Sequence, residues 1–228
     1  MPGAEERKVK ELFGRISEEK RNRIFEASVN EFAHNGYEQA NINVIAANAG
    51  VSVGSIYKYF ENKQDLFLTT VKHCALGLKS ILEGVMQSAG GWKSRVRAIL
   101  HIVQKHSREH RVVIQLYSEM AAQCNASVVL PAVEEMESIS AELYSDLIRQ
   151  AQREHIVRED CDPKMLAFLM DNLFMMFQFS YACDYYRERF KVYVDRDIFE
   201  RDDFVVDQTM RFLESAFAAA GRTPGREP

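Results

Sequence analysis

The sequence predicts an all-α fold in two parts: a small N-terminal helical domain built on a helix-turn-helix, and a larger C-terminal helical domain. Three observations predict it. Apolar residues recur at helical spacing from Val9 to Phe217, and no alternating strand pattern interrupts them. Residues 36–63, GYEQANINVIAANAGVSVGSIYKYFENK, hold two short helical patterns joined by a tight turn. At 228 residues and 46% hydrophobic, the chain can bury one small and one larger core.

Val9, Leu12, Phe13 and Ile16 recur at i, i+3, i+4 and i+7, so the extension over residues 1–16 carries an amphipathic turn or two that braces the next helix. Ser17 caps that first helix, its inward stripe is Phe25, Val29, Phe32 and Ala33, and Asn35-Gly36 ends it. Tyr37 then packs under the motif. Asn41 caps a second helix with one apolar face, Ile42, Ile45, Ala46 and Ala49; Gly50 suits the left-handed position that stops it, and Val51 plugs the turn. Ser52 caps the third helix, which is two-faced. Ile56 and Phe60 point inward, while Ser52, Ser55, Lys58, Tyr59 and Asn62 form an opposite side of hydroxyls, amide and cation. Such groups suit a nucleic-acid surface, since a major groove about 12 Å wide admits one α-helix. The same pattern also fits a plain helical hairpin with a polar outer face.

Asn62 and Asp65 start a long fourth helix with the stripe Leu66, Val71, Cys74, Leu78, Ile81 and Val85. Gly77 and Gly84 weaken it by roughly 1 kcal/mol each relative to Ala and make a bend credible, and Ala89-Gly90-Gly91 ends it. Further helices are expected over 93–107, 110–123, 131–153, 163–190 and 203–219, with Pro131 and Asp162-Pro163 at helix starts. Residues 165–182, MLAFLMDNLFMMFQFSYA, are apolar nearly all round and demand cover on both sides. Asp171, Asn172 and Gln178 interrupt the run, which argues against a membrane span. The tail, residues 221–228, is expected to be disordered.

Charge gives no general signal for DNA. Residues 1–72 hold 10 Lys and Arg against 10 Asp and Glu, and residues 73–228 hold the remaining 19 against 23. Any DNA surface therefore depends on local placement: Arg7, Lys8, Lys10, Arg15, Lys20, Arg21 and Arg23 ahead of the motif, Lys58 and Lys63 within it. Cys74, Cys124, Cys161 and Cys183 lack CxxC spacing and read as reduced, buried thiols. The start, MPGAEERKVK, has no signal-peptide core, and the expected location is cytoplasmic, without membrane.

The run AGVSVGSIYKYFENKQDL, preceded by FAHNGYEQANINVIA, resembles the N-terminal domain of TetR-family transcriptional regulators over residues 24–67. The resemblance implies a DNA-binding domain at 17–65 and a ligand-binding and dimerisation domain at 66–220. It makes residues 52–58 the recognition helix and puts Val53, Gly54 and Ser55 where the family touches bases. Tyr57, Tyr59 and Lys63 take phosphate positions, and Asn41 and Asn43 match contacts to backbone or flanking bases. Ser52 and Lys58 complete the expected DNA-facing set. Val53 is apolar where many relatives carry a polar reader, so it either meets a thymine methyl or packs inward. The resemblance also implies a homodimer through residues 163–190 and 203–219, a palindromic double-stranded operator, and release by a small-molecule effector.

His106 to His110 spell H-x-x-E-H, an inverted zinc-protease pattern, but Arg108 and Arg111 would repel a dication beside it. No nucleophile elbow, phosphate-cradling loop or paired carboxylates are discernible, and the reading is no enzyme, no metal and no cofactor. The Met and aromatic residues of the C-terminal half fit core and dimer packing first, and as the alternative an adaptable apolar ligand site, which such side chains also line. A candidate effector set is Gln115, Tyr117, Met120, Phe168, Asn172, Met176 and Phe179. The C-terminal half, with YYRERFKVYV near its end, is loosely similar to the branch sensing fatty acids or acyl-CoA. The alternative is a helical ligand-binding or interaction protein with no transcriptional role.

Overall fold

The computed structural model describes residues 13–88, 90–122, 126–200 and 202–219. The amphipathic pattern at Val9 and Leu12, Cys124 and the tail at 221–228 lie outside them. The described helices are α1 (Glu18–Gln39), α2 (Ile42–Asn48), α3 (Val53–Tyr59), α4 (Lys63–Gln87), α5 (Trp92–Glu109), α6 (Arg111–Ala122), α7 (Ala126–Arg153), α8 (Pro163–Ala182), α9 (Asp184–Val194) and α10 (Asp202–Phe217), with a 3₁₀ turn at Ile198–Glu200. Among the described residues the only extended pairing is a single bridge between Val157 and Ala218. The chain is all-α, as read.

The chain divides into two compact units, residues 1–76 with 115–134, and 77–114 with 135–228. The expected 17–65 span lies wholly in the first. Residues 66–76 and 115–134, counted with the C-terminal part from the sequence, pack with the first unit.

In the first unit the core is Ile24, Phe25 and Phe32 of α1, Ile45 and Ala46 of α2, Ile56 and Phe60 around α3, and Leu66 and Phe67 of α4. Phe13 joins it, its ring 5.4 Å from Phe25 and 4.8 Å from Phe60, so the extension braces α1 at that residue. Ser17 Oγ accepts from Lys20 N. Gly36 adopts φ 65° and breaks the helical path, after which one turn carries on to Gln39. At α4, Asn62 Oδ1 accepts from Asp65 N at 2.9 Å and Asp65 Oδ2 accepts from Glu61 N at 3.1 Å, a local capping arrangement. α4 runs unbroken through Gly77 and Gly84. Its inward stripe differs at one place: Ile81 is exposed and Leu82 is buried instead.

In the second unit, Trp92, Val96, Leu100 and Val103 of α5, Tyr144, Leu147 and Ile148 of α7, Leu166, Met170 and Phe174 of α8, and Val206, Met210 and Leu213 of α10 form one core. Two boundaries depart from the sequence reading. α7 starts at Ala126, so Pro131 falls in its second turn, inside the helix and not at its start. The helix expected over 163–190 is two helices, α8 and α9, bent by 107° at Cys183, which takes extended angles. Contacts from afar hold the bend. Arg111 donates to the freed carbonyl of Ala182 (3.1 and 3.3 Å) and to Asp184 (3.2 Å). Tyr181 hydroxyl donates to Asp202 (3.1 Å) and accepts from Gln104 (3.0 Å), while Arg108 pairs with Asp202 and lies over the Tyr181 ring. α9 is fixed by Asp197, which accepts from Arg187 and Lys191; the Arg187 guanidinium holds its carboxyl far below the usual range. Among the described residues no single helix is long and apolar enough to cross a membrane, and the one bent pair that passes by length and composition is α8 with α9.

Burial between α7 and α8, with Glu137 next in effect, pushes the Asp171 carboxyl up to about 6, against a smaller lowering by Ser140. Tyr144, whose phenol is itself pushed up by burial, faces the same carboxyl from α7. An acid raised in the fold contributes stability that is full below about pH 4 and lost as pH rises through about 6. Asp171→Asn should therefore exceed wild type in urea-unfolding stability at pH 7.5 by on the order of 1–2 kcal/mol, and the gap should narrow as pH falls and close only near pH 4. The difference between the two proteins is the readout, because burial also lowers the His106 imidazole from its ordinary value, in both proteins alike.

Candidate nucleic-acid interface

Two seven-residue helices too short to stand alone make this site, so its geometry rests on caps and on the turn between them. Asn41 Oδ1 accepts from Asn43 N at 2.9 Å and caps α2. Gly50 has φ 65°, Gly50 N donates to Ala47 O (3.1 Å) and Val51 N to Ala46 O (2.9 Å), which is the paired-bond ending of a Schellman motif. Ser52 Oγ accepts from Ser55 N (3.1 Å) and lies 2.9 Å from Ser55 Oγ.

The outward side carries Asn41, Asn43, Ser52, Gly54, Tyr57 and Lys58, all exposed, with Val53 and Ser55 half-buried. Tyr57 is 53% exposed, an uncovered phenol on a small domain. Gly54 is informative. A Cβ there would meet only Ser52 Oγ at 3.9 Å, an ordinary contact, so nothing in the fold requires glycine at this position. A helical glycine that packs against nothing leaves room for something outside the chain.

Two expected members are placed differently. Tyr59, assigned to the outer face from the sequence, is buried: its ring lies 5.7 Å from Phe13, and its hydroxyl accepts from Lys20 Nζ at 3.3 Å. Phe13 extends the core beneath α3 and draws Tyr59 in with Ile56, three residues earlier. Lys63 turns its ammonium on the backbone, donating to Glu38 O (2.9 Å) and Ala40 O (3.3 Å) over the ring of Tyr37 (4.9 Å). These two carbonyls engage two of its three protons. Sequence reasoning missed Glu31, whose Oε1 accepts from Asn41 N at 2.9 Å although the residue is 9% exposed. The only hint was an acid inside the apolar stripe of α1.

The candidate effector residues fall in both units and form two groups. Gln115, Tyr117 and Met120 lie on α6 within the first, Met120 buried and the other two half-buried. Phe168, Asn172, Met176 and Phe179 share one face of α8, opposite Met170 and Phe174. That face turns away from the core of the second unit. Phe168 is 60% exposed, Asn172 Nδ2 donates to Phe168 O at 2.7 Å, and Phe179 is buried against Tyr186. A cavity within the unit would instead be lined from the Met170 side. The rings of His106 and His110 lie 4.6 Å apart, with Arg108 committed to Asp202 and Arg111 to Asp184. Among the described residues no group of three His, Cys, Asp or Glu is set to hold a metal ion.

Comparison with known proteins bears on this geometry. The family described as bacterial regulatory proteins, tetR family, matches residues 24–70. An uncharacterized HTH-type transcriptional regulator of Bacillus subtilis, YhgD, is 23% identical over 166 residues, 73% of this chain and 86% of that protein. The fatty acid metabolism regulator protein of B. subtilis is 45% identical over 49 residues, 22% of this chain and 25% of that one. Among solved structures, the fatty acid degradation regulator FadR of Bacillus halodurans superposes with a TM-score of 0.71 at 18% identity, over 88% of this chain and 96% of that one. FadR of B. subtilis in complex with stearoyl-CoA gives 0.65 at 18% identity, over 83% and 97%. At such identities the structural likeness speaks for the fold, and the helix-turn-helix match speaks for kinship. Residues 24–70 thus carry the helix-turn-helix domain described for the tetR family of bacterial regulatory proteins.

Proposed function

We propose that the protein is a homodimeric, ligand-responsive repressor that reads a palindromic operator with α2 and α3 and leaves it when a long apolar effector binds the second unit. The observation that carries the DNA reading is the outward face of α3, where exposed Tyr57 and Lys58 flank a Gly54 that the fold itself does not need. Ser52, Val53, Gly54 and Ser55 are the base-reading residues of this proposal. Tyr57, Lys58 and the third proton of Lys63 serve phosphates, with Asn41 and Asn43 at the flank. Tyr59 acts from beneath, holding α3 against Phe13.

The outward apolar face of the second unit supports self-association. Met165, Phe168 and Leu169 of α8 and Phe204 and Phe212 of α10 are between 39% and 60% exposed. A cluster of that size on helix faces calls for cover, and a second copy supplies it by two-fold symmetry. We assign Phe168, Asn172 and Met176 to that contact, and the effector to the core side around Met170 and Phe174. A relative solved with stearoyl-CoA supports a long-chain acyl-CoA or fatty acid as the effector class. Release needs differential affinity: 100-fold preference for the DNA-free form supplies about 2.7 kcal/mol, and operator must weaken effector binding by the same factor.

Gly54→Ala should raise stability by up to about 1 kcal/mol, as alanine favours helix, while lowering operator affinity tenfold or more. Unfolding curves and duplex titrations measure the two; unchanged affinity would remove α3 from the groove. Phe168→Arg should turn a sedimenting dimer into a monomer and weaken operator binding, whereas a wild-type monomer at micromolar concentration would contradict the dimer. Stearoyl-CoA should dissociate the operator complex at low micromolar concentration; if it does not, the effector class is wrong and the DNA reading stands.

A further inference from the structure

In a capping box, a Glu or Gln three residues past the N-cap reaches back to the N-cap amide and closes the box. α2 cannot close it. Its N3 residue is Val44, and Asn41 Oδ1 is already spent on Asn43 N. The missing carboxylate comes from ten residues upstream: Glu31 of α1, 9% exposed, accepts from Asn41 N at 2.9 Å. Asn41 O in turn accepts from Val44 N (3.0 Å) and Ile45 N (3.1 Å), so one residue anchors the first turn and is itself anchored by Glu31. A buried carboxylate is costly without partners, and nothing in the apolar stripe of α1 calls for one at this position.

We infer that Glu31 is a positioning residue for DNA reading: it fixes the N-cap of α2, so that Asn41 and Asn43 stand at a defined place on the outer surface. This rests on the proposal above that Asn41 and Asn43 contact the operator. The arrangement couples α1 to α2 by a bond that hydrophobic packing cannot supply, because burial is non-directional whereas a carboxylate fixes one amide. Glu31 itself touches no DNA, and its charge adds no attraction for phosphate. Geometry and charge therefore separate cleanly by substitution. Glu31→Gln keeps an acceptor oxygen for Asn41 N and removes the charge; Glu31→Ala removes both.

The test is phosphate-ethylation interference with quantitative titration, on an operator selected from a random duplex pool, using the full chain as wild type, Glu31→Gln, Glu31→Ala and Asn43→Ala. Glu31→Ala is expected to bind roughly five- to tenfold more weakly, the scale of a lost N-cap, and to lose interference at the same phosphates that Asn43→Ala loses, with the Tyr57 phosphates retained. Glu31→Gln should keep the wild-type pattern and affinity. Uniform weakening of every interference site in Glu31→Ala, or a Glu31→Gln protein as impaired as Glu31→Ala, would overturn the positioning role. If Asn43→Ala changes nothing at all, the proposed α2 contact is wrong, an outcome distinct from failure at Glu31.

Discussion

The first unit depends on one backbone constraint, the left-handed Gly50 between α2 and α3. With φ at 65°, Gly50 and Val51 return their amides to Ala47 and Ala46, which ends α2 and sets the direction in which α3 leaves. A residue with a Cβ would pay about 1–2 kcal/mol in that conformation. The penalty falls on helices of seven residues, whose own propensity is too weak to hold them. They persist because the turn aims Ile45, Ala49 and Ile56 at one buried centre, shared with Phe32 and Leu66. Once those faces are inward, Ser52, Gly54, Tyr57 and Lys58 have no place to go but out. The exposed polar side of α3 is thus the remainder of a packing problem.

In the second unit the comparable constraint is polar and long-range. α8 ends where Cys183 turns extended, and the carbonyl it frees at Ala182 is taken by Arg111, 71 residues earlier in the chain. Tyr181, Gln104, Arg108 and Asp202 lock the same corner from α5 and α10. Because α8 stops there, its outward stripe, which starts near Phe168, ends by Ala182, and α9 carries its tyrosines elsewhere. A continuous helix to residue 190 would have spread the apolar face over another two turns.

Much of this was legible in the sequence, for a physical reason. The helix-turn-helix is specified locally: Ser17, Asn41, Ser52 and Asn62 each cap within three residues, and Gly50 acts on its neighbours. What escaped the sequence depends on partners far away. Apolar periodicity runs across Cys183, so residues 163–190 read as one helix; the break needs Arg111 and Asp197, which no window around the site contains. Tyr59 lies on the polar arc of a helical wheel, yet Phe13, 46 positions earlier by number, pulls it inward. Lys63 looked like a free cation and is bound to the carbonyls of 38 and 40. Glu31 gave almost no local signal, since its partner is the amide of Asn41. Of the effector set, helical spacing grouped Phe168, Asn172 and Met176 on one face, but only packing shows that this face is the outer one.

The central claim, that the outward face of α2 and α3 reads DNA, is tested most directly by hydrogen–deuterium exchange of the full chain with and without its selected operator. The account predicts slowed exchange at residues 41–43 and 52–58, with the amides around Asp171 and Met210 unchanged. Slowed exchange confined to the second unit, with 41–43 and 52–58 exchanging as in the free protein, would contradict it.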